Sequence, residues 1–427
     1  MAVRINKLKA VWTCTVAAVL LMRGVPVVHA DDGDYKTLYE EQKKRNDQLE
    51  KRVSALEAGS TQTVAVTKAD IPQKSLDFLG QTEISGFVSG SYLYDFKNAN
   101  PVGRLYDTHN DQFAINKFKL ALEKPIDCNP TNWNAGYRVD LIFGEDAAVI
   151  HSGNPAGSGS FNLGTDGDLE QAFVDVNIPV GNGLKVLLGK MVTCMGVEVI
   201  EEVANPNWSI GNQFIFVENT TQTGLQLQYK WNDKIDTEFC FFNGWDVLPD
   251  NNTGKSFMGR IGYALGSNDT IAVVGYGGPE QNGDSANWRD GVDVVVNHKF
   301  SDKFNSYVQL DYGHEDNTFL SDGTTQAPNA DWYAAGLWLL YDFTDKIELA
   351  FRQDYLKDNR GSRTGSTFGL PVGVTPELYS STLTLNYKPM ADVQVRPEFR
   401  WDHSDKADTF NGIRDQFTVG VGVAYLY

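Results

Sequence analysis

Cysteine, histidine and methionine are scarce in these 427 residues, with only four, six and six of them. No Cys or His pair has zinc-site spacing, so neither a metal nor another cofactor is expected. Basic residues are outnumbered, 37 Lys and Arg against 55 Asp and Glu; the formal net charge of −18 argues against nucleic acid as a partner. A phosphate loop is missing too: Leu184 stands where a glycine belongs five residues before Gly189-Lys190, and Met191 replaces Ser or Thr. Apart from one stretch, long apolar runs are absent. Ala10 to Met22 follows Arg4, Lys7 and Lys9, is too short to span a bilayer comfortably as a helix, and precedes Val28-His29-Ala30, which suits cleavage after Ala30. Residues 1–30 therefore read as a secretory signal. Its loss removes Arg4, Lys7, Lys9 and Arg23 and takes the charge from −18 to −22.

Helical periodicity is confined to one segment. Tyr35, Gln42, Leu49 and Leu56 fall at d positions and Tyr39, Asn46 and Val53 at a positions, among Glu, Lys, Arg and Asp. Residues 31–58 are thus expected to form a short periplasmic coiled coil, marginal alone and favoured where protomers are already held together, as in a homotrimer. Residues 59–80 read as a linker.

From residue 81 to 427 the pattern has period two. Sixteen strands are predicted: 82–96, 112–124, 133–144, 168–180, 183–191, 222–231, 235–245, 256–264, 269–278, 289–300, 303–313, 332–343, 346–356, 377–388, 392–402 and 415–427. Links after odd strands are long; links after even strands are mostly tight turns such as Phe300-Ser301-Asp302-Lys303-Phe304. An outer-membrane barrel sorts its loops this way, with short periplasmic turns and long external loops. The faces agree. Val393, Val395, Phe399 and Trp401 alternate with Gln394, Arg396, Glu398 and Arg400, apolar toward lipid and charged toward a watery lumen, the reverse of a soluble barrel. The chain is therefore expected to be all-β: a closed antiparallel transmembrane barrel of about sixteen strands. Its last strand carries Phe417, Tyr425 and Tyr427 on the large face and small residues on the other. It must close on the first strand, because an open edge in hydrocarbon leaves backbone groups unsatisfied. Tyr425 and Tyr427 belong to a periplasmic aromatic girdle, and the terminal aromatic resembles the signal read by the barrel insertion machinery.

Two stretches, "GKMVTCMGVEVIEEVANPNWS" at 189–209 and "FNGWDVLPDNNTGKSFMGRIGY" at 242–263, resemble the OmpL-like β-barrel porins of Gram-negative bacteria. Gly189, Lys190, Thr193, Gly196 and Glu198 match; Cys194 stands where the family usually has proline. The resemblance implies passive diffusion of small hydrophilic solutes across the outer membrane; a substrate-selective channel and a mainly structural barrel that tethers the envelope through its coiled coil are the alternatives.

Loop 192–221 is too apolar for an external excursion, with Met195, Val197, Val199, Ile200 and Trp208, and is expected to fold into the lumen. Glu198, Glu201 and Glu202 on it, and Arg138, Arg352, Arg396 and Arg400 on the wall, form the candidate constriction. Two arrangements are open: acid and base facing each other across the pore as a transverse field, or salt bridges closing a plug. His109, His151, His314 and His403 lie in predicted external loops beside acids, where solvated faces are the rule, and no catalytic residues are expected. Of the cysteines left after signal removal, Cys194 and Cys240 are the pair that an inward loop brings within disulfide reach, with two buried free thiols as the alternative. Cys128 falls in a predicted periplasmic turn.

Overall fold

The structure is a computed structural model, describing residues 77–150 and 166–427 with Leu79, Ser321 and Ser366 excepted. The signal segment, the heptads, most of the linker and His151 lie outside the described residues.

Sixteen strands appear among the described residues: β1 (Glu83–Asp95), β2 (Gln112–Lys124), β3 (Asn134–Phe143), β4 (Gly167–Ile178), β5 (Leu184–Val192), β6 (Thr221–Lys230), β7 (Ile235–Phe242), β8 (Ser256–Ala264), β9 (Asp269–Pro279), β10 (Trp288–Ser301), β11 (Phe304–Asp316), β12 (Asn329–Thr344), β13 (Ile347–Asp358), β14 (Glu377–Met390), β15 (Val393–Ser404) and β16 (Asp415–Leu426). Each pairs antiparallel with its sequence neighbours, and β16 closes on β1, giving one closed barrel. Closure leaves no edge, so every strand's ladder is satisfied within the protein, as hydrocarbon requires.

Period two is visible in the burial of β15, where Phe399 and Trp401 are exposed to the outside while Arg396, Glu398, Arg400 and Asp402 are buried within. The chain end is held in the ladder: Gly86 and Tyr427 exchange backbone N–H to carbonyl bonds at 3.0 Å, and Tyr427 Oη donates to the Lys119 carbonyl at 2.9 Å. Phe417 stacks on Trp401 outside the barrel at 6.1 Å between centroids.

β11 and β12 run farther than the alternation predicts. His314 pairs with Asp331 and Asp316 with Asn329, so the ladder continues above the band where apolar residues mark the strand.

Candidate functional site: a loop folded through the barrel

The third long loop, 193–220, leaves β5 and turns into the lumen. Its glycines make the path: Gly196 has φ +78°, and a Cβ there would sit 2.3 Å from the Glu218 carboxylate, so no other residue fits without moving that side chain. Within the loop are a three-residue 3₁₀ turn, Glu202–Ala204, and a one-turn helix α1, Asn212–Phe216. Apolar side chains fix its outer half. Phe216 and Val217 pack with Trp332, Leu356 and Leu378, while Ile200, Ile210 and Phe214 pack with Tyr106 and Ile142.

Polar side chains of the wall fix the rest. Arg352, fully buried, donates to Glu198 at 2.5 Å, to the Ser209 carbonyl at 2.6 Å and to Thr382 at 3.0 Å, and pairs with Asp354 at 3.1 Å. Arg396 donates to the carbonyls of Glu202 at 2.5 Å, Asn205 at 2.6 Å and Pro206 at 2.8 Å. Arg400 donates to the Ile210 carbonyl at 2.6 Å and to Asp402 at 2.8 Å. Glu398 accepts the Trp208 and Ser209 N–H groups at 2.8 and 3.2 Å. From the opposite direction Lys117 reaches Glu202 at 2.7 Å and the Ile200 carbonyl at 3.0 Å. Buried charges persist only when paired and hydrogen-bonded, and these are.

The expected acid-to-base separation across open water is therefore not the arrangement found for Arg352, Arg396 and Arg400. All three touch the loop. Glu198 and Glu202 are buried in the same contacts, because desolvated charges on an inward loop are stable only against opposite charge or hydrogen-bond donors. Along the middle of β13–β16 the loop packs directly on the wall; toward the short turns a 340 Å³ cavity remains between them, lined by Ala204, Pro206, Glu348, Asn386 and Arg396. Arg138 stands apart, bonded to Asp140 at 2.9 Å and Glu123 at 3.0 Å, with its side chain 29% exposed. Glu201 is the loop acid that retains exposure, and it pairs with Lys119. Among the described residues, Asp140, Glu170 and Glu201 bring carboxylate oxygens together within 4.8 Å as a divalent ion would require, but the Lys119 ammonium sits among them, 2.9 Å from Asp140 and 2.8 Å from Glu170.

Lys117, Lys119 and Glu398 are anchors that the candidate list omits. Their signal is lumen-side parity: Lys117, Lys119 and Glu123 alternate with Phe118, Leu120 and Leu122 on β2. The small face of β16 is explained by the same loop, because a Cβ on Gly422 would meet the Trp208 ring at 2.1 Å. Cys194, Cys240 and Cys128 are free thiols; Cys194 lies beside Cys240, and Cys128 is exposed. His314 and His403 each bond to an aspartate, Asp331 and Asp415, at 2.9 Å.

Burial of the lumen arginines is lopsided. Arg352, Arg396 and Arg400 are buried under the loop with Asp354, Thr382 and Thr384, while Asp140, Asp168, Glu170, Asp175 and Lys190 are buried on the β3–β5 wall. Across the barrel, the Arg138, Lys185 and Arg260 side chains are 29, 23 and 27% exposed. Toward the short turns on that side lies a 710 Å³ cavity lined by Lys185, Gln228, Asp236 and Glu238, and a 420 Å³ cavity reaches from Cys194 past Arg260 to Asn297.

Residues 81–427 match the family described as "Putative beta-barrel porin-2, OmpL-like". The chain belongs to that family. No match was found among curated proteins. Several solved barrels share this OmpL-like porin's fold. The outer membrane channel DcaP of Acinetobacter baumannii is 12% identical, covers 81% of this chain and 97% of its own, and superposes with a TM-score of 0.54. The anion-selective porin from Comamonas acidovorans gives 10%, 81%, 99% and 0.55, as does the trimer form of in-vitro folded OmpT from Vibrio cholerae. At such identities the likeness concerns the fold. Family and barrel together place the protein in the outer membrane as a porin-type channel.

Proposed function

We propose that this OmpL-like porin passes small hydrophilic solutes and ions passively through a crescent-shaped passage between loop 193–220 and the β3–β8 wall. The observation that supports it is the lopsided burial of the lumen arginines: Arg352, Arg396 and Arg400 are sealed beneath the loop, whereas Arg138 and Arg260, with Lys185, keep contact with water, and the 710 and 420 Å³ cavities lie on that side. Both signs of charge line that crescent. Arg138, Lys185 and Arg260 are paired with Asp140, Asp175 and Asp236, and Lys119 alone faces Asp140, Glu170 and the partly exposed Glu201, so that with Glu238 the acids are in excess. A modest cation preference follows, because fixed carboxylates raise the local cation concentration. Glu201 and Arg138 border the constriction; Glu198, Glu202, Arg352, Arg396 and Arg400 hold its movable wall in place.

In this reading residues 1–30 direct export in a Gram-negative cell, 31–58 form a periplasmic bundle, 59–80 link it to the barrel, and Phe417, Tyr425 and Tyr427 serve membrane insertion as well as closure. Heptads ahead of a porin-type barrel motivate a homotrimer, an assembly also named for the Vibrio cholerae OmpT trimer form, although Asn46 at an a position often goes with two strands. Liposome swelling with sugars of graded size, together with the reversal potential across a planar bilayer in a salt gradient, tests the channel reading. Size-limited swelling and a cation-directed potential are expected; sealed liposomes and no conductance would refute it. Mass measurement in mild detergent, with and without residues 31–58, tests the trimer. A monomer in both refutes it.

A further inference from the structure

Where the loop leaves β5, the lumen wall departs from its polar rule. Cys240 on β7 and Met258 on β8 are directly opposed Cα partners on the lumen side, next to the polar pair Glu238 with Arg260, and Gln226 is the partner of Cys240 on β6. Both are completely buried. The incoming loop lays Cys194 over them: its thiol donates toward Met258 Sδ at 3.5 Å and lies beside the Cys240 sulfur. Three sulfurs thus meet at one place, two fixed by the β-ladder and one delivered by the loop. Gln222 Nε2, 3.3 Å from Met258 Sδ, and Gln226 Nε2, 3.3 Å from Cys240 Sγ, orient the two wall sulfurs from behind. Met195, Phe242, Trp245 and Tyr276 pack around one side of the sulfurs, and the Glu238 carboxylate lies 3.9 Å from Cys240 Sγ on the other.

We propose that Cys194, Cys240 and Met258 form a binding site for a soft monovalent cation of the Cu(I) or Ag(I) class. Two thiols and a thioether suit such an ion, whereas hard divalent ions require oxygen ligands, and the 420 Å³ cavity that reaches Cys194 gives the ion a way in. Adjacent sulfurs in contact need only small movements to face a common centre. Binding replaces the proton of each thiol that becomes a ligand with a metal–sulfur bond; protons leave to solvent and no electron is transferred. A purely apolar patch under the loop would be served as well by leucine and valine, and it would show no metal dependence. Occupancy ties the start of loop 193–220 to the wall at β7 and β8, so the cation becomes a structural clasp of the constriction.

Ag(I) is the probe, since it is redox-inert. The full barrel with Cys128→Ser, which removes the exposed thiol, is purified under reductant, exchanged into chloride-free buffer, titrated with Ag(I), washed with a weak chelator and quenched with an alkylating reagent in denaturant. One Ag(I) retained per barrel is expected, with Cys194 and Cys240 protected from the label. Met258→Leu, close in volume, is expected to lower the affinity by about tenfold or more, and Cys240→Ser to abolish retention. Measurements are made on protein migrating as the folded barrel. Retention unaffected by Cys240→Ser, or no retention at all, overturns the proposal. So does a mass two hydrogens short in protein isolated without reductant, because Cys194 and Cys240 would then be joined to each other.

Discussion

Replacing Arg352 with alanine removes the cation that sits between Glu198 of the loop and Asp354 of the wall. Arg352 is fully buried and contributes five contacts, to Glu198, Asp354, Thr382 and both the carbonyl and hydroxyl of Ser209. Deleting one partner of a buried pair costs about 3–5 kcal/mol, because the remaining charges stay desolvated and uncompensated. The barrel's own ladder does not carry that cost, since β13 pairs with β12 and β14 through backbone groups. The loop carries it. At about 1.4 kcal/mol per tenfold, the population with the loop displaced rises by about two to three and a half orders of magnitude. Arg396, Arg400 and Glu398 still hold the distal part, so displacement is partial and recurrent. Single-channel recording is the assay: a larger mean conductance with frequent substates is expected from Arg352→Ala. Arg352→Met combined with Glu198→Gln and Asp354→Asn removes the charged partners together and is expected to behave closer to the parent than Arg352→Ala. A folded Arg352→Ala barrel with parental conductance and noise would refute the anchoring argument.

The other predictions concern the loop's charge, its packing and its outer contacts. Glu201→Gln is expected to shift the reversal potential toward anions, whereas Glu202→Gln, buried against Lys117 and Ser89, is expected to raise current noise instead; equal shifts from both would contradict the assignment. Gly422→Val is expected to dislodge Trp208 and widen the passage, read as faster swelling with larger sugars, because even a Cβ at 422 overlaps the ring. Burial pushes the Asp146 carboxyl in the external loop up to about 8, with Lys117 opposing and Glu202 adding to the rise. A raised acid pKa means the contact is fully present below the ordinary carboxylate range and lost as pH climbs through about 8. Current noise is therefore expected to grow from about pH 4 to about pH 8, and Asp146→Asn to flatten that dependence; an unchanged slope would assign it to another group.

The barrel was legible because its two requirements leave marks in any short window: alternation from facing lipid and water, and turns sorted by parity. The terminal strand shows why. Phe417, Val419, Val421 and Val423 must face out, and closure on β1 forbids fraying, so the pattern reaches the last residue. Strand ends were less legible where that pressure stops, as at His314–Asp316 and Asn329–Asp331, which pair above the apolar band with no alternation to announce them. The loop's inward fold could be read from Met195, Ile200 and Trp208. Its partners could not. Glu198 meets Arg352 and Trp208 meets Glu398, contacts between segments more than a hundred residues apart that depend on barrel register. The small residues of β16 were visible, but their cause, the Trp208 ring over Gly422, needed the loop in place.

Thiol accessibility inside the conducting barrel tests the proposed crescent most directly. In a background with Cys128, Cys194 and Cys240 replaced by serine, a cysteine is placed at Gln228, on the open side, or at Thr384, sealed beneath Asn207 and beside Glu398. A charged methanethiosulfonate reagent is then added during recording. The account predicts a rapid, permanent drop in current for Gln228→Cys and none for Thr384→Cys. Modification and block at Thr384→Cys, with Gln228→Cys untouched, would place the passage on the other side of the loop and contradict it.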